Sequence, residues 1–130
     1  MMPGRILIVE DESSIAMSLE FLLSNDGYET RLARDGEEAL RSARIFQPDL
    51  VVLDLMLPQL SGLEVCRALR ADPRQSRIKV LMLTARGAAT DMARGQSAGV
   101  DAYQVKPFST QELLAQVRRL LATEDMSHGC

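Results

Sequence analysis

Four places in this chain carry side chains that could act chemically as a set: Glu10-Asp11-Glu12, Asp54, Thr84 and Lys106. Each stands at the carboxyl end of a run with strand character: Arg5 to Val9, Leu50 to Leu53, Ile78 to Leu83 and Asp101 to Val105. Counting from Asp11, they are 43, 30 and 22 residues apart, each about one strand-helix unit or slightly more, so the constellation is spatial rather than local. Carboxylates held within about 4 Å repel by roughly 4 kcal/mol per pair at an effective dielectric of 20, and a rigid strand edge cannot relax that away. A hard divalent cation with oxygen ligands is the natural remedy, and Mg²⁺ suits one or two carboxylates plus waters and a phosphate. Asp54, the acid at the end of the central run, has the chemistry of a nucleophile toward phosphorus, giving an acyl phosphate. Thr84 would donate a hydroxyl hydrogen bond, and Lys106 a positive charge, to the incoming phosphoryl oxygens.

Each of these residues also has a plainer reading. Asp54 alone could be a strand-end acid turning into the Leu57-Pro58 loop, and Glu10, Asp11 and Glu12 could serve the dipole of a following helix. Glu12 is assigned only that second role. Lys106 lies between a strand and Pro107-Phe108, which favours a fixed, pocket-facing amine. Cys66 falls among apolar helix positions and reads as core, and His128 and Cys130 in the tail are given no role.

The elements that must position these residues alternate strictly. Strands are predicted at Arg5 to Val9, Tyr28 to Leu32, Leu50 to Leu53, Ile78 to Leu83 and Asp101 to Val105. Helices are predicted after a Ser13 or Ser14 cap, after Asp35-Gly36, from Ser61 or Gly62, over Ala88 to Ala98, and around Leu113 to Leu121. The third and fourth runs are apolar at almost every position, the pattern of strands buried on both faces. Alternation of this kind implies parallel strands with right-handed crossovers and helices on both sides, a doubly wound α/β sheet with five helices. In such sheets functional groups gather beyond the carboxyl ends of the strands.

A length of 130 residues fits one domain, predicted to span residues 1–122, followed by a flexible polar tail over 123–130. A net charge of −3 disfavours direct nucleic-acid binding by this chain. The apolar runs are too short to span a bilayer and the first residues lack a signal-peptide core, so the expected location is the cytoplasm. An acidic first β-α turn without G-x-G-x-x-G excludes dinucleotide binding.

Ile6 to Glu12, Asp54-Leu55-Met56-Leu57-Pro58 with Ser61-Gly62, Thr84-Ala85-Arg86 and Lys106-Pro107-Phe108 together resemble the receiver domain of bacterial two-component response regulators. The likeness covers nearly the whole chain. It implies the flavodoxin-like strand order 2-1-3-4-5 and phosphoryl transfer to Asp54 from a histidine kinase or phosphotransfer protein. It further implies Mg²⁺ bound by Asp11, Asp54 and the backbone carbonyl of Met56, with Glu10 acting through water. Thr84 and Tyr103 resemble the family's switch pair, and Pro107 matches its cis-proline after the lysine. The output surface would be the face of the fourth predicted helix, the fifth strand and the last helix, with Arg94, Asp101, Glu112, Arg118 and Arg119 as candidates.

The loops resemble receivers of winged-helix transcription factors, but Met92, Ala102 and Gln116 stand where that subfamily usually carries charge, which counts against its ion-paired dimer. With no effector domain after Cys130, the expectation is a stand-alone phosphoacceptor or relay acting through an output partner. A phosphatase of the aspartyl-nucleophile class is the enzymatic rival, and it lacks its second acid because Met56 occupies that position. A binding module that ignores phosphorylation is the other. The preferred reading is a signalling switch, not an enzyme beyond its own Mg²⁺-dependent phosphoryl transfer and slow dephosphorylation.

Overall fold

A computed structural model describes residues 4–57, 59–85 and 98–129. The strands are β1 (Arg5–Val9), β2 (Glu29–Ala33), β3 (Leu50–Asp54), β4 (Lys79–Ala85) and β5 (Ala102–Lys106). Among the described residues there are four helices: α1 (Ser13–Asn25), α2 (Gly36–Phe46), α3 (Gly62–Ala71) and α4 (Thr110–Gly129). The strands form one parallel sheet in the order β2-β1-β3-β4-β5. This is the doubly wound, flavodoxin-like architecture. The helix predicted over Ala88 to Ala98 lies outside the described residues apart from Ala98.

Alternating side chains of each strand feed two separate cores, which is why the inner strands are apolar throughout. Leu7, Val9, Val51, Leu53, Val80 and Met82 pack against α2 and α3 through Ala39, Ala43, Phe46, Val65 and Leu69. Ile6, Ile8, Leu50, Val52, Leu81 and Leu83 face α1 and α4 through Leu19, Leu23, Leu113, Val117 and Leu120.

Three helix starts are capped by the chain's own side chains. Asp35 accepts the Glu38 amide at the head of α2. Ser61 and Glu64 form a reciprocal capping box on α3, and Ser109 and Glu112 exchange the same pair of bonds ahead of α4. At α1 the serine cap predicted from sequence is absent: the N-cap is Glu12, and its side chain makes no capping bond. The last helix continues to Gly129, through residues predicted as polar tail. No glycine or proline interrupts the chain between Pro107 and Gly129, so nothing in that stretch breaks the helix.

Candidate functional site

The sheet brings the predicted residues to one edge. Val9 pairs with Leu53, so Glu10 and Asp54 leave neighbouring strands side by side. Thr84 pairs with Val105, and Ala85 with Lys106, carrying the hydroxyl and the amine to the same edge from β4 and β5. Glu10, Asp11 and Asp54 each offer a carboxylate oxygen, and these atoms lie within 4.8 Å of one another. Glu10 and Asp54 are buried, whereas Asp11 is exposed.

Lys106 Nζ lies 3.3 Å from Asp54 Oδ2 and 3.4 Å from Glu10 Oε1, so one ammonium bridges the two buried acids. Burial works against the Lys106 charge, but the Asp54 and Glu10 carboxylates outweigh it and hold its pKa above the usual lysine range. Glu10 shows the opposite strain. Loss of solvation first, and the neighbouring Asp54 carboxylate second, push its carboxyl up to about 7. Two further bonds fix the acids: Glu12 N–H donates to Glu10 Oε2 at 3.2 Å, and Met56 N–H donates to Asp54 Oδ1 at 3.1 Å. The second bond turns the backbone at Met56 back over Asp54, while the Met56 side chain stays exposed.

Thr84 is buried, and its Oγ1 has no hydrogen-bond partner among the described residues. An unpaired buried hydroxyl costs about 1–3 kcal/mol relative to a satisfied one. Tyr103 pairs with Met82, two residues before Thr84 on the neighbouring strand, so alternation places Tyr103 and Thr84 on one face of the sheet. Tyr103 is half-buried against the core beside α3 and carries a pKa raised by that burial. The Lys106-Pro107 peptide is cis.

Of the candidate output residues, four are engaged within the chain: Asp101 pairs with Arg70 at 2.7 Å, Arg118 pairs with Asp26 at 2.9 Å, Glu112 caps its helix with Ser109, and Arg119 donates to Gln116. Arg94 and Met92 lie outside the described residues.

One residue at this edge carries more than the helix start read from sequence. A Cβ at Gly62 would stand 2.5 Å from the Asp54 carbonyl oxygen and 2.9 Å from Leu55 Cα. With Gly62 N–H donating to Leu55 O at 3.0 Å, the head of α3 rests directly on the Asp54-Leu55 backbone. The only trace in the sequence is a glycine immediately after a capping serine.

An acid cluster, a bridging amine and a buried hydroxyl beyond the carboxyl ends of a parallel sheet define a site suited to a hard cation and an anionic oxygen group. Comparison with known proteins gives the family: the response regulator receiver domain matches residues 6–118, and the chain belongs to it. Members of that family are phosphorylation-activated switches of two-component signalling.

Among relatives, the DNA-binding response regulator MtrA of Mycobacterium leprae is 44% identical over 124 residues, covering 95% of this chain and 54% of MtrA. The chain thus spans about half the length of the curated relatives it matches. A crystal structure from Chloroflexus aurantiacus J-10-fl, named as a response regulator, superposes with a TM-score of 0.89 at 39% identity, covering 92% of this chain and 98% of the other. The receiver domain of sensor histidine kinase PA1611 from Pseudomonas aeruginosa PAO1 superposes with a TM-score of 0.85 at 32% identity, covering 92% of this chain and 98% of that one. Its structure has a magnesium ion coordinated in the active site cleft. No helix among the described residues is long and apolar enough to cross a membrane.

Proposed function

We propose that Asp54 is the phosphoacceptor. Its carboxylate oxygen attacks the phosphorus of a phosphohistidine on a histidine kinase or phosphotransfer protein; the P–N bond breaks as the P–O bond of the acyl phosphate forms. The observation that carries this reading is the Lys106 ammonium at 3.3 Å from Asp54, beside a buried Thr84 hydroxyl without a partner among the described residues. Both are donors with capacity to spare for phosphoryl oxygens.

The acid cluster fits Mg²⁺, which would be held by Asp11, Asp54 and the Met56 carbonyl, with Glu10 acting through water. When bound, the ion offsets the charge of acids and phosphoryl group together. Lys106 holds the second charge in place and orients the Asp54 oxygen. Once Asp54 is phosphorylated, the Thr84 hydroxyl turns to the phosphoryl oxygens, and Tyr103, on the same face, moves into the space released. The surface around β5 and α4 then changes for an output partner. Residues 1–122 form the receiver unit, Pro107 is structural, and the chain acts in the cytoplasm without contacting DNA itself. It is no enzyme beyond this self-catalysed transfer and slow dephosphorylation.

The test is intact mass after incubation with Mg²⁺ and acetyl phosphate. The wild type gains one phosphoryl group and Asp54→Asn gains none. An equal gain in Asp54→Asn would overturn the assignment, as would a wild type that takes up nothing.

A further inference from the structure

The amino-terminal heads of β4 and β5, at the opposite end of the sheet from Asp54, are gripped by one side chain. Arg70, in the last turn of α3, donates from Nε to Gly99 O at 3.0 Å and from one terminal nitrogen to Ser76 O at 3.0 Å and Ile78 O at 2.6 Å. Its other terminal nitrogen donates to Asp101 Oδ2 at 2.7 Å. Four of its five N–H groups are thus placed, in the planar fork that only a guanidinium presents. Asp101 passes the grip on: its Oδ2 accepts Val80 N–H at 2.8 Å, and its own N–H donates to Val80 O at 3.0 Å.

The backbone is shaped around this side chain. Gly99 has φ +94°, and a Cβ there would stand 2.9 Å from Arg70 Cγ and Nε, so both conformation and space require glycine. One turn earlier on α3, the Cys66 thiol donates to Ala98 O at 3.3 Å. Two residues on one face of α3 therefore hold the segment 98–101, which leads directly into β5 and Tyr103.

We infer that Arg70 is a positioning residue for the switch, a fixed anchor that keeps the heads of β4 and β5 in place while their tails, at Thr84 and Lys106, respond to phosphorylation. Rearrangement is then confined to side-chain turning and displacement at the carboxyl ends. Sliding of β5 along β4 is excluded, because it would break the Asp101-Val80 exchange and the four Arg70 bonds together. This inference rests on Asp54 being the phosphoacceptor.

The experiment is amide hydrogen exchange and chemical shift by NMR on the full chain, with and without Mg²⁺ and beryllofluoride as the phosphoryl mimic. In the wild type the mimic shifts the Met56, Thr84 and Lys106 amides while Val80 and Asp101 keep their exchange rates within about twofold. In Arg70→Gln, the Val80 and Asp101 amides exchange about tenfold faster at rest, and the mimic's effects spread to them. Arg70→Lys does not rescue, because an ammonium lacks the planar fork. Asp101→Asn, which keeps an acceptor oxygen, gives a smaller acceleration of the same two amides and serves if Arg70→Gln does not fold. The anchor is refuted if the mimic accelerates Val80 and Asp101 in the wild type as much as Thr84, or if Arg70→Gln leaves them unchanged. A mimic that shifts nothing near Asp54 refutes the phosphoacceptor instead, and the resting Arg70→Gln rates still report whether the anchor exists.

Discussion

The two ends of the sheet treat polar groups in opposite ways. At the amino ends they are spent on one another. Arg5 and Asp49 exchange bonds at 2.8 and 2.9 Å, Asp49 O accepts Lys79 N–H at 3.1 Å, and Asp101 and Val80 complete the row under Arg70. At the carboxyl ends three acids cluster and one amine bridges the two that are buried, Glu10 is driven far from its ordinary pKa, and the Thr84 hydroxyl has no partner among the described residues. Strain is thus gathered at one end of the sheet, and its cost is tolerable because the other end is tightly bonded.

An added methyl should therefore be felt very differently at the two ends. At Gly62 the new Cβ meets backbone, 2.5 Å from Asp54 O, which cannot turn aside. Gly62→Ala should lose about 3 kcal/mol in urea unfolding, the upper range for overpacking, and should lower phosphoryl uptake because Asp54 itself must shift. At Gly4, by the amino ends, the nearest atom is the Cδ1 of Leu121 at 3.1 Å, the tip of a flexible side chain. Gly4→Ala should stay within about 0.5 kcal/mol of wild type. Equal costs at the two glycines would break the comparison.

This asymmetry was only half legible in the sequence. Asp54, Thr84 and Lys106 could be placed at one edge because each ends a strand in a regular alternation, and that alternation survives into the fold. The anchor could not be foreseen. Arg70 sits in an amphipathic helix where an arginine ordinarily faces solvent, and its partners are mostly backbone carbonyls, which no residue type announces. Asp101 and Arg118 read as candidates for the output surface for the same reason, since their partners Arg70 and Asp26 are 31 and 92 residues away. The absent serine cap on α1 and the run of α4 to Gly129 are decided by local backbone geometry, on which sequence pattern is a weak guide.

The strain on Glu10 sharpens the comparison through pH. Its folded pKa, about 7, lies above its ordinary value of 4.5, so between these limits the native state binds more protons than the unfolded one. Stability of the metal-free protein must then fall as pH rises from 4.5 to about 7. The loss should be on the order of 2 kcal/mol once solvent at the mouth of the cleft is allowed for. Glu10→Gln should flatten this part of the stability profile, measured as Tm in EDTA at half-unit steps of pH. Mg²⁺ should recover most of the lost stability in the wild type near pH 7. A wild-type profile that rises through the window would mean that Glu10 is well solvated or fully paired.

The smallest effect is the most discriminating, because it has the unusual sign. Thr84 is 1% exposed and its Oγ1 finds no partner among the described residues. Valine has the same shape without the polar atom. Thr84→Val should therefore stabilise the unphosphorylated chain by about 1 kcal/mol, where most buried substitutions destabilise. The same change should reduce the extra stability conferred by Mg²⁺ and beryllofluoride, because the hydroxyl that would meet the phosphoryl oxygens is gone. Thermal unfolding of both proteins, with and without the mimic, reads the two effects at once. A destabilised Thr84→Val would place a hydrogen bond on the resting hydroxyl, and the carboxyl ends would then resemble the amino ends more closely than the geometry allows.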